Sequence, residues 1–411
     1  MKRFAKMSLV AAVAVAGLTT TSSAKALEDA IKNVDVSGTV TYRYNDYEDN
    51  YGEVNGVKKH HSKSTNNYKI ALNLKSKVNE DVTANTRFII GGAQAGEASL
   101  STHDNGDQQV DVTLSEVNFT YTGIKNTAIT LGKQALATPF TMPRDAMGNE
   151  QTGTGALAVT NVGPVTLAAA YFNQTNLGED YGEISDTLHP RNRKDSKGNF
   201  IGDINGDENV VFVGAMASFA GINVDASYID LQDIADAYTV GLKAAYNVGD
   251  VKLSPFVRYS SLDLDDTSKD NKLFKIGIDA NMGIFGAYLY YGHTDEDGGT
   301  TALDYSAETG MDPHWRVTLT GINDADAIYA GVSAQILPKL NIALKYSSID
   351  TGSKTVDTGD QEEIYTKVTY DMSKNFSTYV QFGQFTKDKE RGSTDKDIDS
   401  TIGRLNVQYS F

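Results

Sequence analysis

Ile402-Gly-Arg-Leu-Asn-Val-Gln-Tyr-Ser-Phe411 decides the fold class. Leu405, Val407, Tyr409 and Phe411 alternate with Arg404, Asn406, Gln408 and Ser410. A period of two puts apolar side chains on one face of a strand and polar ones on the other. The same scheme recurs upstream. In 68–78, Tyr68, Ile70, Leu72 and Leu74 alternate with Lys69, Asn73, Lys75 and Lys77. In 36–47, Val36, Val40, Tyr42 and Tyr44 face one way and Ser37, Thr39, Thr41 and Arg43 the other. The remaining segments are 82–90, 116–123, 127–134, 155–162, 165–173, 210–220, 222–231, 237–248 and 251–262, followed by 272–283, 284–294, 327–337, 340–349, 364–372 and 376–387. That makes about eighteen segments of roughly ten residues, the length a tilted strand needs to cross a hydrocarbon core.

The connections between segments separate a barrel from a sandwich. Every second one is a tight turn: 78–81, 123–126, 163–164, 220–221, 249–250, Gly283, 338–339 and 373–375. Those between are mostly long and polar: 48–65, 91–111, 135–154, 174–209, 263–271, 295–326, 350–363 and 388–397, with 232–236 the short member. Short turns on one side and long connections on the other are the pattern of an outer-membrane barrel. The expectation is therefore all-β: a transmembrane antiparallel β-barrel of about 18 strands, with short periplasmic turns and long extracellular loops. Tyrosines near strand ends would form an interfacial girdle. Tyr409 and Phe411 are read as the assembly signal, on a last strand that pairs with the first and removes the open edge.

The first residues read as a secretory leader. Lys2, Arg3 and Lys6 precede an apolar run over 7–18, with small residues at the cleavage sites after Ala24 or Ala26. This divides the chain into a leader, 1–24, and one barrel domain, 25–411. A short helix is expected over 27–33. The chain has 411 residues, 37 Lys+Arg against 53 Asp+Glu, a net charge of −16 and no cysteine. The acidic balance excludes nucleic acid as a partner, because nothing neutralises a run of phosphates. The missing cysteines exclude disulfides and thiolate chemistry.

Leu27-Glu-Asp-Ala-Ile-Lys-Asn-Val-Asp-Val-Ser-Gly38, with Tyr42-Arg43-Tyr44 after it, resembles the mature start of the Campylobacter-type major outer membrane protein (porin) family. Residues 116–123 and 130–134 resemble the strand pair before the constriction loop of porins generally. The resemblance implies an 18-stranded, usually trimeric, general-diffusion porin with cleavage after Ala24. It also implies calcium in the pore of some members. Porins often carry Arg where this chain has Lys133, and strand phase groups Lys133 with Ile129 and Leu131 rather than with the polar face.

The third long connection, 135–154, is the candidate for a loop folded into the pore. Pro139 and Pro143 stiffen it, and Arg144, Asp145 and Glu150 would narrow the lumen. The wall opposite would carry Arg43, Lys69, Lys75, Arg87, Lys133, Lys252, Arg258 and Arg404. Opposed carboxylates and bases set a transverse field that biases which ions enter. Asp203, Asn205 and Asp207 resemble the start of a calcium loop, but Gly214 stands where its bidentate Glu belongs. Tyr288, Tyr290 and Tyr291 are expected to pack outward. The six His lack metal-motif or triad spacing, and no enzyme is expected. Passive transport requires no cofactor, with Ca2+ as an optional ion. Expected partners are outer-membrane lipid and lipopolysaccharide, the barrel-assembly machinery, two further copies of the chain, and small hydrophilic solutes and ions. The net charge suggests weak cation selectivity. The rival readings are a surface adhesin or structural barrel, with 174–209 and 295–326 as binding loops, and a substrate-selective channel.

Overall fold

The computed structural model describes residues 34–54, 57–92, 95–100, 110–177, 204, 206–265, 270–352, 359–388 and 397–411. The leader and the expected helix over 27–33 lie outside these. Eighteen strands form one closed antiparallel barrel. The first six are β1 (Val34–Val54), β2 (Val57–Lys77), β3 (Val82–Gly91), β4 (Asp111–Tyr121), β5 (Thr127–Ala135) and β6 (Thr152–Val162). Next come β7 (Val165–Thr175), β8 (Val210–Phe219), β9 (Ile222–Leu231), β10 (Ala235–Ala244, continued by Tyr246–Val248), β11 (Val251–Leu264) and β12 (Asp270–Met282). The last six are β13 (Phe285–Thr294), β14 (Ala325–Leu337), β15 (Leu340–Thr351), β16 (Gln361–Asp371), β17 (Phe376–Lys387) and β18 (Ile398–Ser410). A two-residue strand, Ala98–Ser99, adds to the edge of β2.

Closure is direct. β1 pairs with β18 from Thr39 opposite Ser410 to Asn50 opposite Asp399. The Gly38 N–H donates to the Phe411 carbonyl at 2.9 Å, and the Phe411 N–H returns a bond to the Gly38 carbonyl at 3.0 Å. The Tyr409 and Phe411 rings stack 5.8 Å apart. Gly38 is required at this seam: a Cβ there would lie 2.8 Å from Phe411 Cζ and closer still to the Ala71 carbonyl oxygen.

Strand parity sorts the two faces. Leu131, Val213, Val240, Leu289, Val332 and Phe382 are among many large apolar side chains left exposed on the outside. A belt of this extent is tolerated only against lipid. Inward rows carry Thr41, Asn45, Lys69, Asn85, Arg258 and Asn406, all buried. In β4 the parity breaks: Arg87 pairs with Glu116 but Phe88 with Leu114, leaving Ser115 as an extra residue. Val112 and Leu114 face out above this bulge, and Val117, Phe119 and Tyr121 below it. Period-two reading began this strand at Glu116 for that reason.

Within the expected loop over 48–65, residues 48–54 and 57–65 are instead strand. The first hairpin stays paired, with Tyr47 opposite Lys63 and Asp49 opposite His61, and so projects past its neighbours. Its polar, charged sequence carries no apolar alternation, and that hid it.

Gly38→Val is expected to abolish most of the folded, heat-modifiable barrel recovered from outer membranes, and Phe411→Ala to reduce it in part. Wild-type recovery for both would refute the seam.

Candidate functional site

Among the described residues, L3 (136–151) and L7 (295–324) fold into the barrel. L3 closes on itself, with Gln151 N–H donating to the Met142 carbonyl at 3.0 Å and Met142 N–H to Gln151 Oε1 at 2.9 Å. Its anchor is Glu150, which is fully buried. Arg87 donates to Glu150 Oε2 at 2.7 Å and to Oε1 at 2.5 Å, and Lys69 Nζ lies 3.2 Å from Oε1. Lys69 also donates to the carbonyls of Asp145 and Gly148, at 2.9 and 2.8 Å. Burial alone would raise the Glu150 carboxyl, but bonds from Arg87 and the charges of Lys69, Arg87 and Arg144 hold it below its ordinary value. Arg144 pairs with Glu116 of β4 and lies 3.9 Å from Glu150. Asp145 Oδ1 accepts the N–H groups of Met147 (2.7 Å) and Gly148 (2.5 Å).

Only the rival adhesive reading makes 295–326 a binding surface; the strand pattern otherwise makes it a long extracellular connection, and L7 instead runs inward. The reason is its apolar content. Leu303 and Ala307 join Leu136 and Phe140 of L3 against Phe172, Leu231 and Leu262 of the wall. Met311, Val317, Leu319 and Ile322 pack against Tyr329, Ile349, Phe385 and Ile402. Each large side chain so buried gains roughly 1.5–3 kcal/mol over exposure. Backbone bonds tie the loops together, Leu303 N–H to the Phe140 carbonyl at 2.7 Å and Thr309 N–H to the Pro139 carbonyl at 3.0 Å.

Polar latches fix L7 to the wall. Glu363 of β16 accepts the N–H groups of Trp315 (3.1 Å) and Arg316 (2.6 Å). The Arg316 guanidinium lies over the Phe385 ring at 4.5 Å and 3.7 Å from Asp49. Glu308 meets Arg258 at 2.9 Å, and Arg258 also forks onto Asp225 at 2.9 and 3.0 Å. Lys275 Nζ donates to the Gly310 carbonyl at 2.6 Å. His314 sits 2.6 Å from the Tyr288 hydroxyl, and burial pushes its imidazole down to about 3, so it is neutral.

The expected wall residues therefore divide. Lys69, Arg87 and Arg258 hold loops. Arg43 and Arg404 stay half-buried on the inner wall and bond only neutral groups among the described residues: Arg43 to Asn406 at 3.1 Å, Arg404 to Asn45 at 2.6 Å and Tyr47 at 3.3 Å. Lys75 lies on an inward row, opposite Asn85. Lys252 shares the inward row of Arg258 and is exposed near the turn end. Lys133 is not in the lumen: it pairs with Val117 on the outward row and donates to the Leu114 carbonyl at 3.0 Å. Gly132, at φ +118°, distorts the strand without turning Lys133 inward. Glu150 anchors L3 rather than facing an opening. Tyr288 and Tyr290 face inward, against the expectation, and stack on one another at 4.8 Å; Tyr291 faces out.

The inner-wall bases Lys345 and Lys367 escaped the sequence reading, although they stand in the polar phase of β15 and β16. Lys367 Nζ lies 3.9 Å above the Tyr379 ring. Lys345 lies 5.7 and 5.8 Å from the Tyr288 and Tyr365 rings. Arg404 lies 4.9 Å from the Trp315 ring. Asn67, the cross-strand partner of Arg43, donates to Glu97 at 2.7 Å, and Glu97 and Asp145 of L3 act on Arg43 through their charge. Of the calcium candidates, Asp203 and Asn205 lie outside the described residues, and Asp207 lines a polar recess with Lys133 and Asn176. Among the described residues no cluster of three or more His, Asp or Glu is placed to hold a metal ion.

Residues 1–411 match the Campylobacter major outer membrane protein family. The chain belongs to that family. It is an outer-membrane β-barrel of the porin type. Solved structures from Pseudomonas aeruginosa share the fold. OpdL aligns over 92% of this chain and 99% of its own, at 14% identity and TM-score 0.70. OpdK, solved with vanillate, aligns over 92% and 98% at 15% and 0.67. OccK2 (OpdF), in complex with glucuronate, aligns over 92% and 98% at 16% and 0.65. No curated protein matches.

Glu150→Gln is expected to leave Lys69 and Arg87 buried without their carboxylate, at a cost of about 3–5 kcal/mol to L3 anchoring. Single-channel current should become larger and noisier; unchanged current would refute the anchor. Because the Glu150 carboxyl is held below its ordinary value, the anchor is at full strength above the ordinary carboxylate pKa. It weakens as pH falls through the folded value. Wild-type current should therefore be steady at neutral pH and acquire the variant's noise only in acid.

Proposed function

We propose that the protein is a passive diffusion porin for small hydrophilic solutes and ions. The observation that carries this is the half-buried wall of bases, Arg43, Arg404, Lys345 and Lys367, with the carboxylates of Glu97 and of Asp145 in L3 near Arg43. Polar, partly hydrated groups of both signs in a lumen orient solutes and leave them free to go. L3 and L7 fill part of the bore with apolar clusters, so width is set by rigid packing rather than by strand number alone.

Overall ion selectivity on this reading is weak, because two fields oppose each other. The acidic balance of the chain favours cations, and the stripe favours anions. Trimer assembly, contact with lipopolysaccharide, cleavage of the leader and an optional calcium ion are further proposals that rest on the family.

Purified protein in planar bilayers should give stepwise, voltage-independent currents with a reversal potential close to zero in a KCl gradient. Replacing Arg43 and Arg404 by Gln should move the reversal potential toward cation preference. Absence of current steps would favour the rival, an adhesive or structural barrel.

A further inference from the structure

Several inward bases meet a carboxylate. Lys69 and Arg87 share Glu150, Arg144 has Glu116, and Arg258 has Asp225 and Glu308. Arg43, Arg404, Lys367 and Lys345 differ: none lies within ion-pair distance of a described carboxylate. They come from β1, β18, β16 and β15, which are neighbours around the wall except for β17 between the last three. Register sets them in one band. Lys367 stands opposite Gln381, Gln381 opposite Arg404, Arg404 opposite Asn45, and Arg43 two residues before Asn45. Lys367 feels the like charges of Lys345, Arg404 and Arg43. Glu97 acts on Arg43 and Arg404, and Glu363 on Lys345, from beyond ion-pair distance. Four cations held together in a partly dehydrated lumen still repel one another, and a bound anion relieves this.

The surroundings narrow the class of anion. Ring faces stand beside the charges: Tyr379 under Lys367, Tyr288 and Tyr365 under Lys345, Trp315 under Arg404. They hold the cationic heads in place, and Tyr379, Tyr288 and Trp315, which are only part-buried, offer apolar surface to a carbon skeleton. Planar guanidinium groups of Arg43 and Arg404 match the two oxygens of a carboxylate. Glu97 and Asp145, whose charges reach Arg43, disfavour doubly charged anions.

We infer that Arg43, Arg404, Lys367 and Lys345, with their aromatic platforms, form a binding track for small organic monocarboxylates. The track prefers those with a flat apolar skeleton. It rests on the channel reading and adds a solute class to it. Bases spaced along a wall let the anion pass from one partner to the next without leaving the charged band, so binding and transit are compatible.

The test uses benzoate, acetate and phosphate as probes on reconstituted full-length protein. Benzoate should reduce the KCl current saturably, acetate more weakly, and phosphate least at pH 8. In Lys345→Gln/Lys367→Gln, apparent benzoate affinity should fall at least about tenfold, as loss of charge-assisted bonds does. Lys252→Gln, which removes one base at the turn end outside the track, should behave as wild type. Titration calorimetry in detergent gives a readout independent of current. A wild type that conducts but binds no benzoate, a double variant with unchanged affinity, or phosphate held as tightly as benzoate each overturns the monocarboxylate track. A wild type that binds benzoate in calorimetry and passes no current keeps the track and sinks the channel reading.

Discussion

Hydrocarbon offers no hydrogen-bond partner to a peptide group, so a sheet that crosses it must have no free edge. In this protein that demand is met where β1 meets β18, and the rest follows from it. A closed ring of antiparallel strands forces alternate connections to opposite sides. Parity then divides each strand into a row for lipid and a row for the lumen. Gly38 and Phe411 show how tight the join is, since the seam brings a backbone, a carbonyl and an aromatic ring into the space of one missing methyl group.

Inside the ring, the same residue type on the same face has two fates. Lys69, Arg87 and Arg258 face carboxylates brought by L3 or L7 and become fixed structure. Arg43, Arg404, Lys345 and Lys367 form no ion pair with a described carboxylate and keep their charge for the lumen. The difference lies in the loops rather than in the strands. Glu150 and Glu308 decide which bases are used up. L7 does more than fill space: by latching at Glu363 and stacking Trp315 near Arg404, it also holds part of the free group in position.

The strands were legible because lipid outside and water inside impose a strict period of two. Leu340, Ile342 and Leu344 alternate with Asn341, Ala343 and Lys345 plainly enough that the eighteen spans could be read without an alignment. The same pattern would have yielded Lys345 and Lys367, had every polar-phase base been carried forward. L7 was not legible as an inward loop. Its apolar residues Leu303, Met311, Val317, Leu319 and Ile322 follow no period, because they answer to a packed interior and not to a repeating face. The anchoring role of Glu150 was equally hidden: a carboxylate in a polar loop carries no sign in sequence of the two bases, Lys69 and Arg87, that meet it. Lys133 was the opposite case, since its phase with Ile129 and Leu131 already pointed outward.

Ser115 illustrates how little separates a working wall from a failed one. It is one extra residue, buried, inserted between Leu114 and Glu116. Counting strictly by twos from Val112 and Leu114 would turn Glu116 and Asn118 toward lipid acyl chains and Val117 and Phe119 toward water. The insertion resets the count midway. The outer and inner halves of β4 are therefore two frames joined in one strand, each free to change its composition without carrying the other with it. The carboxylate that receives Arg144 owes its place in the lumen to that offset.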